Sequence, residues 1–256
     1  MVCFIEPPQA DAGENDSICG MNYFLNPQPS VGDGAWYSLQ SGVVFSPRAD
    51  TSHPEVEVPS PGVYSFVWTE NNQGVSDSDT VVITFFAFPQ ANAGEDTLVC
   101  DSMFVLDGNR LGFDSVLWTG PASVNFSPNQ NTPNPTITTT SYGQHTFIYS
   151  VFQNGCMSSD TLEITFTEQP VAYAGVDDSL CGDSYTLNAQ VSVGNGRWLA
   201  HPNVIFDDSS AFNAVASLKG NNYGTYTLIW EETNGACLSR DSVSITYYEN
   251  VSPFLG

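Results

Sequence analysis

Basic residues are scarce in this 256-residue sequence, which has only 5 Lys and Arg against 28 Asp and Glu and a formal net charge of -23. Proteins bind nucleic acid and anionic lipid by neutralising phosphates with Lys and Arg, so a surface of this charge would repel both. Long apolar runs are also missing, since none approaches the roughly 20 residues that a membrane-spanning helix needs. We therefore expect no nucleic-acid binding and no direct membrane insertion.

The sequence also lacks the short motifs of common enzymes. It contains no Gly-x-Ser-x-Gly, His-Glu-x-x-His or Cys-x-x-Cys and no phosphate-binding glycine loop. Its histidines, His53, His145 and His201, recur at no common spacing, so they cannot build a repeated metal site. We predict a protein that is not an enzyme, with no catalytic residues and no required cofactor.

The sequence repeats one unit three times. Four landmarks keep the same 81-residue period: the Ala-Gly pairs that begin at Ala12, Ala93 and Ala174; Cys19, Cys100 and Cys181; Gly62, Gly143 and Gly224; and Asp79, Asp160 and Asp241. Because such a period marks tandem structural units, we predict three modules. Module 1 is residues 1–87, including the tail of a preceding strand; module 2 is residues 88–168; and module 3 is residues 169–256, including the start of a next linker.

Within a module, apolar residues alternate with a period of two. Tyr64, Phe66 and Trp68 fall on one face of an extended segment, and no comparable stretch has helical periodicity. The pattern predicts about seven short strands per module, with Trp36, Trp118 and Trp198 in the core. We therefore predict an all-β chain of three β-sandwiches.

The six cysteines indicate an oxidising, extracellular environment. The spacing from Cys100 to Cys156 equals the spacing from Cys181 to Cys237, and this equality suggests one disulfide within each of modules 2 and 3. Module 1 differs because Val75 occupies the position of Cys156 and Cys237. A Cys3–Cys19 bridge is the economical proposal, with two free thiols or a bond from Cys3 to a preceding module as the alternatives.

The modules open with a recognisable motif. Ala-x-Ala-Gly-x-Asp occurs at residues 91–96 and 172–177, and at residues 10–15 with Asn15 in place of the Asp. A Cys follows a few residues later, and the modules end in Gly-Cys-x-x-x-Asp-Ser/Thr at residues 155–161 and, with one extra residue after the Gly, at residues 235–242. Together these features resemble PKD-type immunoglobulin-like domains, most closely the tandem domains of Bacteroidetes surface proteins that include gliding-motility adhesins exported by type IX secretion. The resemblance implies three tandem immunoglobulin-like (PKD-like) β-sandwiches in a linear array at the cell surface.

Carboxylates in the opening loops are candidate calcium ligands, since Ca²⁺ is bound by several oxygen atoms. They are Asp11, Glu14, Asp16, Glu95, Asp96, Asp177 and Asp178. An ion there would stiffen the connection between modules, as in some PKD-like and cadherin-like arrays. The alternative is that these carboxylates cap turns and solvate the surface.

A second recurring feature is Asp-Ser/Thr followed by an aliphatic residue or Met, which is similar to the O-glycosylation motif of exported Bacteroidetes proteins. The candidate acceptors are Ser17, Thr80, Thr97, Ser102, Ser115, Thr161, Ser179 and Ser242. The alternative is a polar edge at the start of an alternating strand.

These observations together predict a non-enzymatic spacer or adhesive segment of a large surface adhesin. Its expected partners are neighbouring repeats of the same protein, with surface glycans or proteins as further candidates. Two other interpretations stay open: a glycan- or protein-binding module at an adhesin tip, and an accessory tail of a secreted hydrolase.

Overall fold

The computed structural model of the chain describes residues 4–110 and 112–250. All the regular secondary structure of these residues is β-strand. Twenty-one strands form three four-stranded and three three-stranded sheets. Three separate hydrophobic cores lie between them, one for each pair of sheets. This is the arrangement of immunoglobulin-like sandwiches, so the prediction of three such sandwiches in tandem is confirmed.

Each module has seven strands. Module 1 contains β1 (Asp16–Cys19), β2 (Asn22–Phe24), β3 (Asp33–Ser38), β4 (Val44–Ser46), β5 (Glu55–Glu57), β6 (Gly62–Asn72) and β7 (Val75–Phe86). Module 2 contains β8 (Thr97–Val99), β9 (Met103–Val105), β10 (Ser115–Thr119), β11 (Val124–Ser127), β12 (Thr136–Thr139), β13 (Gly143–Gln153) and β14 (Cys156–Phe166). Module 3 contains β15 (Asp178–Cys181), β16 (Ser184–Thr186), β17 (Asn195–Trp198), β18 (Val204–Phe206), β19 (Val215–Leu218), β20 (Gly224–Asn234) and β21 (Cys237–Tyr248).

A long hairpin forms the centre of each module. Its two strands, β6 and β7 in module 1, lie in the middle of the sheet β1-β7-β6-β3, and β2, β5 and β4 form the smaller sheet. The first strand of the module pairs in parallel with the far end of the last strand, so that Cys19 lies beside Phe86. The same topology recurs in modules 2 and 3.

Aromatic pairs fill the cores, as the period-two pattern predicts. Trp36 on β3 packs against Trp68 on β6, with ring centroids 5.2 Å apart. Trp198 and Trp230 repeat this pair at 5.2 Å in module 3. In module 2 the partner is smaller, because Tyr149 stands opposite Trp118 at 4.6 Å. Each pair is buried and connects the third strand to the long hairpin.

The repeated Ala-Gly and Asp landmarks belong to one structural device. The Asp79 carboxylate on β7 accepts a hydrogen bond from the Ala12 N–H at 2.9 Å. The equivalent bonds, from Ala93 to Asp160 and from Ala174 to Asp241, measure 2.8 and 2.9 Å. Each landmark pair therefore fastens the opening loop of a module onto its last strand.

Candidate functional site: the joints between modules

The two disulfides of the described residues both connect one module to the next. Cys19 of module 1 bonds Cys156 of module 2, and Cys100 of module 2 bonds Cys237 of module 3. The Cα–Cα distances are 5.6 and 5.5 Å, and each pair is separated by 137 residues in sequence. The predicted bridges within modules, Cys100–Cys156 and Cys181–Cys237, are therefore wrong.

The strand topology explains the correction. Val99 pairs with Phe166 at the end of β14, whereas Cys156 lies at the opposite end of the same strand. At about 3.3 Å per residue, the two cysteines of module 2 lie roughly 30 Å apart along the sheet. A disulfide requires Cα atoms within roughly 4.4–6.8 Å of each other, so Cys100 and Cys156, at opposite ends of module 2, cannot bond each other.

The remaining expectation about the cysteines concerns module 1. The first cysteine of a module lies at the end of the first strand or directly after it, as in Cys19 and Cys100. The proposed Cys3–Cys19 bridge is wrong because Cys19 bonds Cys156. Cys3 itself lies outside the described residues.

The tip of the long hairpin forms one side of each joint. The turn between β13 and β14 contains Asn154 and Gly155, both with positive φ, and places Cys156 against the preceding module. Cys156 and Cys237 are each only 1% exposed. Val75, at the same position in module 1, is 40% exposed. Bonding to the preceding module thus accompanies burial of this position.

At the second joint, hydrogen bonds fasten the linker between modules 2 and 3 to the hairpin of module 3. The Asn234 side-chain amide at the hairpin tip donates to the Glu168 carbonyl at 2.9 Å. The Gln169 amide donates to the Leu238 carbonyl, also at 2.9 Å. The linker between modules 2 and 3 is therefore hydrogen-bonded to the hairpin of module 3, and the Cys100–Cys237 disulfide joins the same hairpin to module 2.

A buried carboxylate network continues from the linker into module 3. The Val171 N–H donates to the Ser192 hydroxyl at 2.8 Å, and that hydroxyl donates to Glu232 at 2.7 Å. The Trp230 indole N–H donates to the other oxygen of Glu232 at 3.1 Å. Glu232 is fully buried, so these donors replace the water that a carboxylate would otherwise bind. The network connects the linker to the strand that leads to the hairpin tip.

Module 1 contains the same network, formed by Gln9, Ser30, Glu70 and Trp68. Desolvation raises the pKa of Glu70, but hydrogen bonds from the Ser30 hydroxyl, the Trp68 indole and the Ser30 and Val31 N–H groups together outweigh it. The pKa of Glu70 therefore lies below its usual value, and the carboxylate stays ionised at neutral pH.

In module 2 both the tryptophan and the glutamate of this network are replaced. Tyr149 stands in place of the tryptophan and Val151 in place of the carboxylate, and the Tyr149 hydroxyl donates to the Asn109 carbonyl at 2.6 Å. Reasoning from the sequence missed the network. The signal available in the sequence was the motif Trp-x-Glu, which occurs at residues 68–70 and again two periods later at residues 230–232. At the equivalent positions of module 2, the Trp and the Glu are both replaced.

Several predicted calcium ligands hold the opening loops together by binding backbone N–H groups. Asp96 accepts from Glu163 and Asp177 from Ser244, each at 2.8 Å. Asp11 accepts the Gly13 N–H, and Asp16 and Asp178 accept the hydroxyls of Tyr23 and Tyr185 respectively; Glu14 and Glu95 are exposed. Among residues 4–110 and 112–250, no three His, Cys, Asp or Glu side chains are grouped to hold a metal ion. Calcium binding stays a prediction, which a melting temperature unchanged by excess chelator would contradict.

The predicted glycosylation acceptors lie mostly on outward-facing strand positions. Six of the eight are exposed: Ser17, Thr80, Ser115, Thr161, Ser179 and Ser242. Thr97 and Ser102 are half-buried. Modification of these hydroxyls stays a prediction, and peptides from the native host that carry no added hexose mass would contradict it.

The histidines do not come together as a site. His145 is 6% exposed and packs edge-on against Phe166, with ring centroids 5.3 Å apart. Its Nδ1 has no hydrogen-bond partner, so packing alone holds this side of the ring. His201 lies beside Tyr226 in module 3, and His53 bonds the adjacent Ser52.

No family model and no curated protein matches the chain. Solved structures of tandem immunoglobulin domains are similar at low identity. A three-domain I-band fragment of titin is 12% identical with a TM-score of 0.45, covering 95% of this chain and 99% of that one. Extracellular domains 3–5 of Drosophila OTK are 10% identical with a TM-score of 0.39, covering 94% and 97% respectively. At these identities and scores, neither structure says what this chain binds. No helix among the described residues is long and apolar enough to cross a bilayer.

Proposed function

We propose that the chain is a non-enzymatic extracellular spacer whose modules are locked end to end into a stiff segment. The observation that carries this proposal is the disulfide at each of the two joints, Cys19–Cys156 and Cys100–Cys237. A linker alone allows one module to swivel on the next, because it is a single covalent connection. Here every joint has two.

The position of the second connection restricts rotation as well as separation. Cys19 pairs with Phe86 in the sheet of module 1, and the linker to module 2 leaves just after Phe86. Neighbouring strands lie about 4.8 Å apart, so the disulfide and the linker leave module 1 side by side. Two parallel covalent connections resist twisting about the linker, which a single one cannot do.

A disulfide between modules also suits a secreted protein. Such bonds persist in oxidising environments and are reduced in the cytosol, which supports an extracellular location. The charge of -23, spread over three modules, keeps neighbouring copies apart in solution. The resemblance of the opening motifs to Bacteroidetes surface adhesins supports placing the segment in a type IX-secreted adhesin of that kind.

The stiffness is tested by small-angle X-ray scattering of the oxidised chain and of a Cys19→Ser, Cys156→Ser double variant. We expect the variant to give a broader distribution of maximum dimensions, because its first joint keeps only the linker. Cys181→Ser is the matched control, since it removes a thiol outside both disulfides. Identical distributions for the double variant and the control would contradict a stiffening role.

The surface location has a separate test. An antibody against the chain should label intact cells of the native host, and brief external protease treatment should remove the label. Labelling that requires permeabilised cells would contradict an extracellular spacer, whatever the stiffness of its joints.

A further inference from the structure

We propose that Cys181 and the end of module 3 around it bind the hairpin tip of another module of this repeat, arranged head to tail after module 3, and join it through a disulfide. Cys181 is exposed and bonds no other cysteine among residues 4–110 and 112–250. The inference depends on the joint geometry, and it stands even if the joints serve a purpose other than stiffness.

Two bonded equivalents in the same structure point to this partner. Cys19, Cys100 and Cys181 are separated by the 81-residue period, and the first two each bond a cysteine at the start of the last strand of the following module. The structure therefore shows twice what this position binds, with the same separation of 137 residues each time.

The end of module 3 has the backbone geometry of the joined ends. Cys181 pairs with Tyr248 as Cys19 pairs with Phe86. The ladder continues in both cases, with the Gly20 N–H bonding the Phe86 carbonyl and the Gly182 N–H bonding the Tyr248 carbonyl, each at 2.9 Å. A hairpin that fits the end of module 1 thus meets the same backbone surface on module 3.

Exposure differs between the bonded cysteines and Cys181. Cys19 and Cys100 are half-buried, whereas Cys181 is exposed. The position beside the cysteine shows the same contrast, since Phe86 and Thr167 are half-buried and Tyr248 is 56% exposed. An aromatic ring and a thiol thus lie open on the surface that a hairpin covers at the two existing joints.

The chain itself offers no free hairpin cysteine. Cys156 and Cys237 are already bonded, and module 1 has Val75 at that position. A second unmodified copy therefore cannot occupy the site. The occupant must be a module that has a cysteine at the first position of its last strand.

Bond formation needs an oxidant, for which a small-molecule disulfide such as oxidised glutathione suffices. The Cys181 thiolate attacks it, forming a mixed disulfide and releasing one glutathione thiolate. The hairpin thiolate then attacks the Cys181 sulfur, forming the bond between modules and releasing the second glutathione. Two cysteine thiols are oxidised, and one glutathione disulfide is reduced to two thiols.

The test extends the chain by a copy of module 2, whose hairpin is bonded to the equivalent end of module 1. Residues 1–249, with Cys3→Ser, are followed directly by a second copy of residues 88–168, which keeps the 81-residue period and places the copy of Cys156 137 residues after Cys181. After oxidation with glutathione and digestion at Asp and Glu, we expect a linked peptide pair containing Cys181 and Cys156. Alkylation of Cys181 should fall by about tenfold or more, because only a free thiolate reacts.

The matched control contains Val in place of Cys156 in the copy, as module 1 has Val75, and should leave Cys181 fully alkylated. A folded four-module chain, shown by a β-sheet circular dichroism signal increased by one module, in which Cys181 stays reactive would overturn the inference. So would a bond from the copied Cys156 to the copied Cys100.

A second variant decides the matter if the extended chain fails to fold. Val75→Cys in the Cys3→Ser background gives module 1 a hairpin thiol, so that the hairpin of one molecule can bind Cys181 of another. We expect a ladder of oligomers on non-reducing gels, with position 75 linked to Cys181, and no ladder when Cys181→Ser is added. Links between like positions only, 75 to 75 or 181 to 181, would overturn the inference.

Discussion

The Trp230 indole N–H donates a hydrogen bond to the carboxylate of Glu232, two residues farther along the same strand, with both side chains buried. Because Ser192 holds the second carboxylate oxygen, Glu232 connects the core tryptophan to the linker of module 3. The pair is repeated at Trp68 and Glu70 in module 1.

Removing the buried carboxylate should destabilise module 3. Glu232→Ala leaves the Trp230 N–H and the Ser192 hydroxyl without their acceptor, and an unsatisfied buried donor costs about 1–3 kcal/mol. Urea denaturation followed by tryptophan fluorescence measures the loss. Glu57→Ala is the control, because Glu57 is exposed on β5, and an equal effect of both substitutions would contradict the importance of the network.

The Glu70 network should make module 1 sensitive to acid. The pKa of Glu70 lies below its usual value of 4.5 in the folded chain, so its contribution to stability is present above the unfolded pKa and is lost as pH falls through the folded pKa. Glu70→Gln removes this titration. We expect the difference in urea midpoint between the wild-type chain and Glu70→Gln to shrink as pH falls below about 4.5. A difference that does not change with pH would contradict the assignment.

Gly34 should not tolerate a side chain. A Cβ atom at this position on β3 would lie 2.0 Å from the Trp68 ring, which the packing of Trp68 against Trp36 holds in place. We expect Gly34→Ala to lower the free energy of unfolding by about 1–3 kcal/mol, as overpacking of a core does, measured by thermal or urea denaturation. Adding Trp68→Phe shortens the ring, so the double variant should lose less than the sum of the two single effects. Additive losses would contradict a direct clash.

The disulfides should limit how far the oxidised chain extends under force. Pulling at residues 4 and 250 sends tension along the chain to Cys19, across to Cys156, back to Cys100, across to Cys237 and on to residue 250. This path contains about 84 residues, which at about 3.3–3.6 Å per residue extend to roughly 290 Å, against roughly 850 Å for the reduced chain.

Single-molecule force spectroscopy with and without reductant measures both lengths. Bridges within modules would leave a path of about 134 residues, or roughly 460 Å, so the experiment also distinguishes the two patterns of pairing. Cys181→Ser should behave as the wild-type chain does.

The sequence predicted the fold better than the joints. The 81-residue period and the alternation of Tyr64, Phe66 and Trp68 depend on local pattern, and strands and core residues follow from local pattern. Disulfide pairing depends on which ends of the strands meet. The spacing within a module, from Cys100 to Cys156, and the spacing across a joint, from Cys100 to Cys237, differ by one period, so cysteine positions alone cannot separate them.

The deciding feature was the parallel pairing of a short first strand with the far end of the last strand, as in Cys19 beside Phe86. Nothing in so short a strand indicates which end of a long hairpin it will join. The buried glutamates were missed for a related reason: a carboxylate in a strand normally predicts an exposed position, and only its donors, Ser192 and Trp230, make burial possible.

The two disulfide-closed loops overlap, since residues 19–156 and 100–237 share the segment from Cys100 to Cys156. A single proteolytic cut anywhere between Cys19 and Cys237 therefore falls inside at least one closed loop, and the pieces stay covalently attached. The chain can thus be cut once in any of its three modules, between these residues, without separating into two pieces.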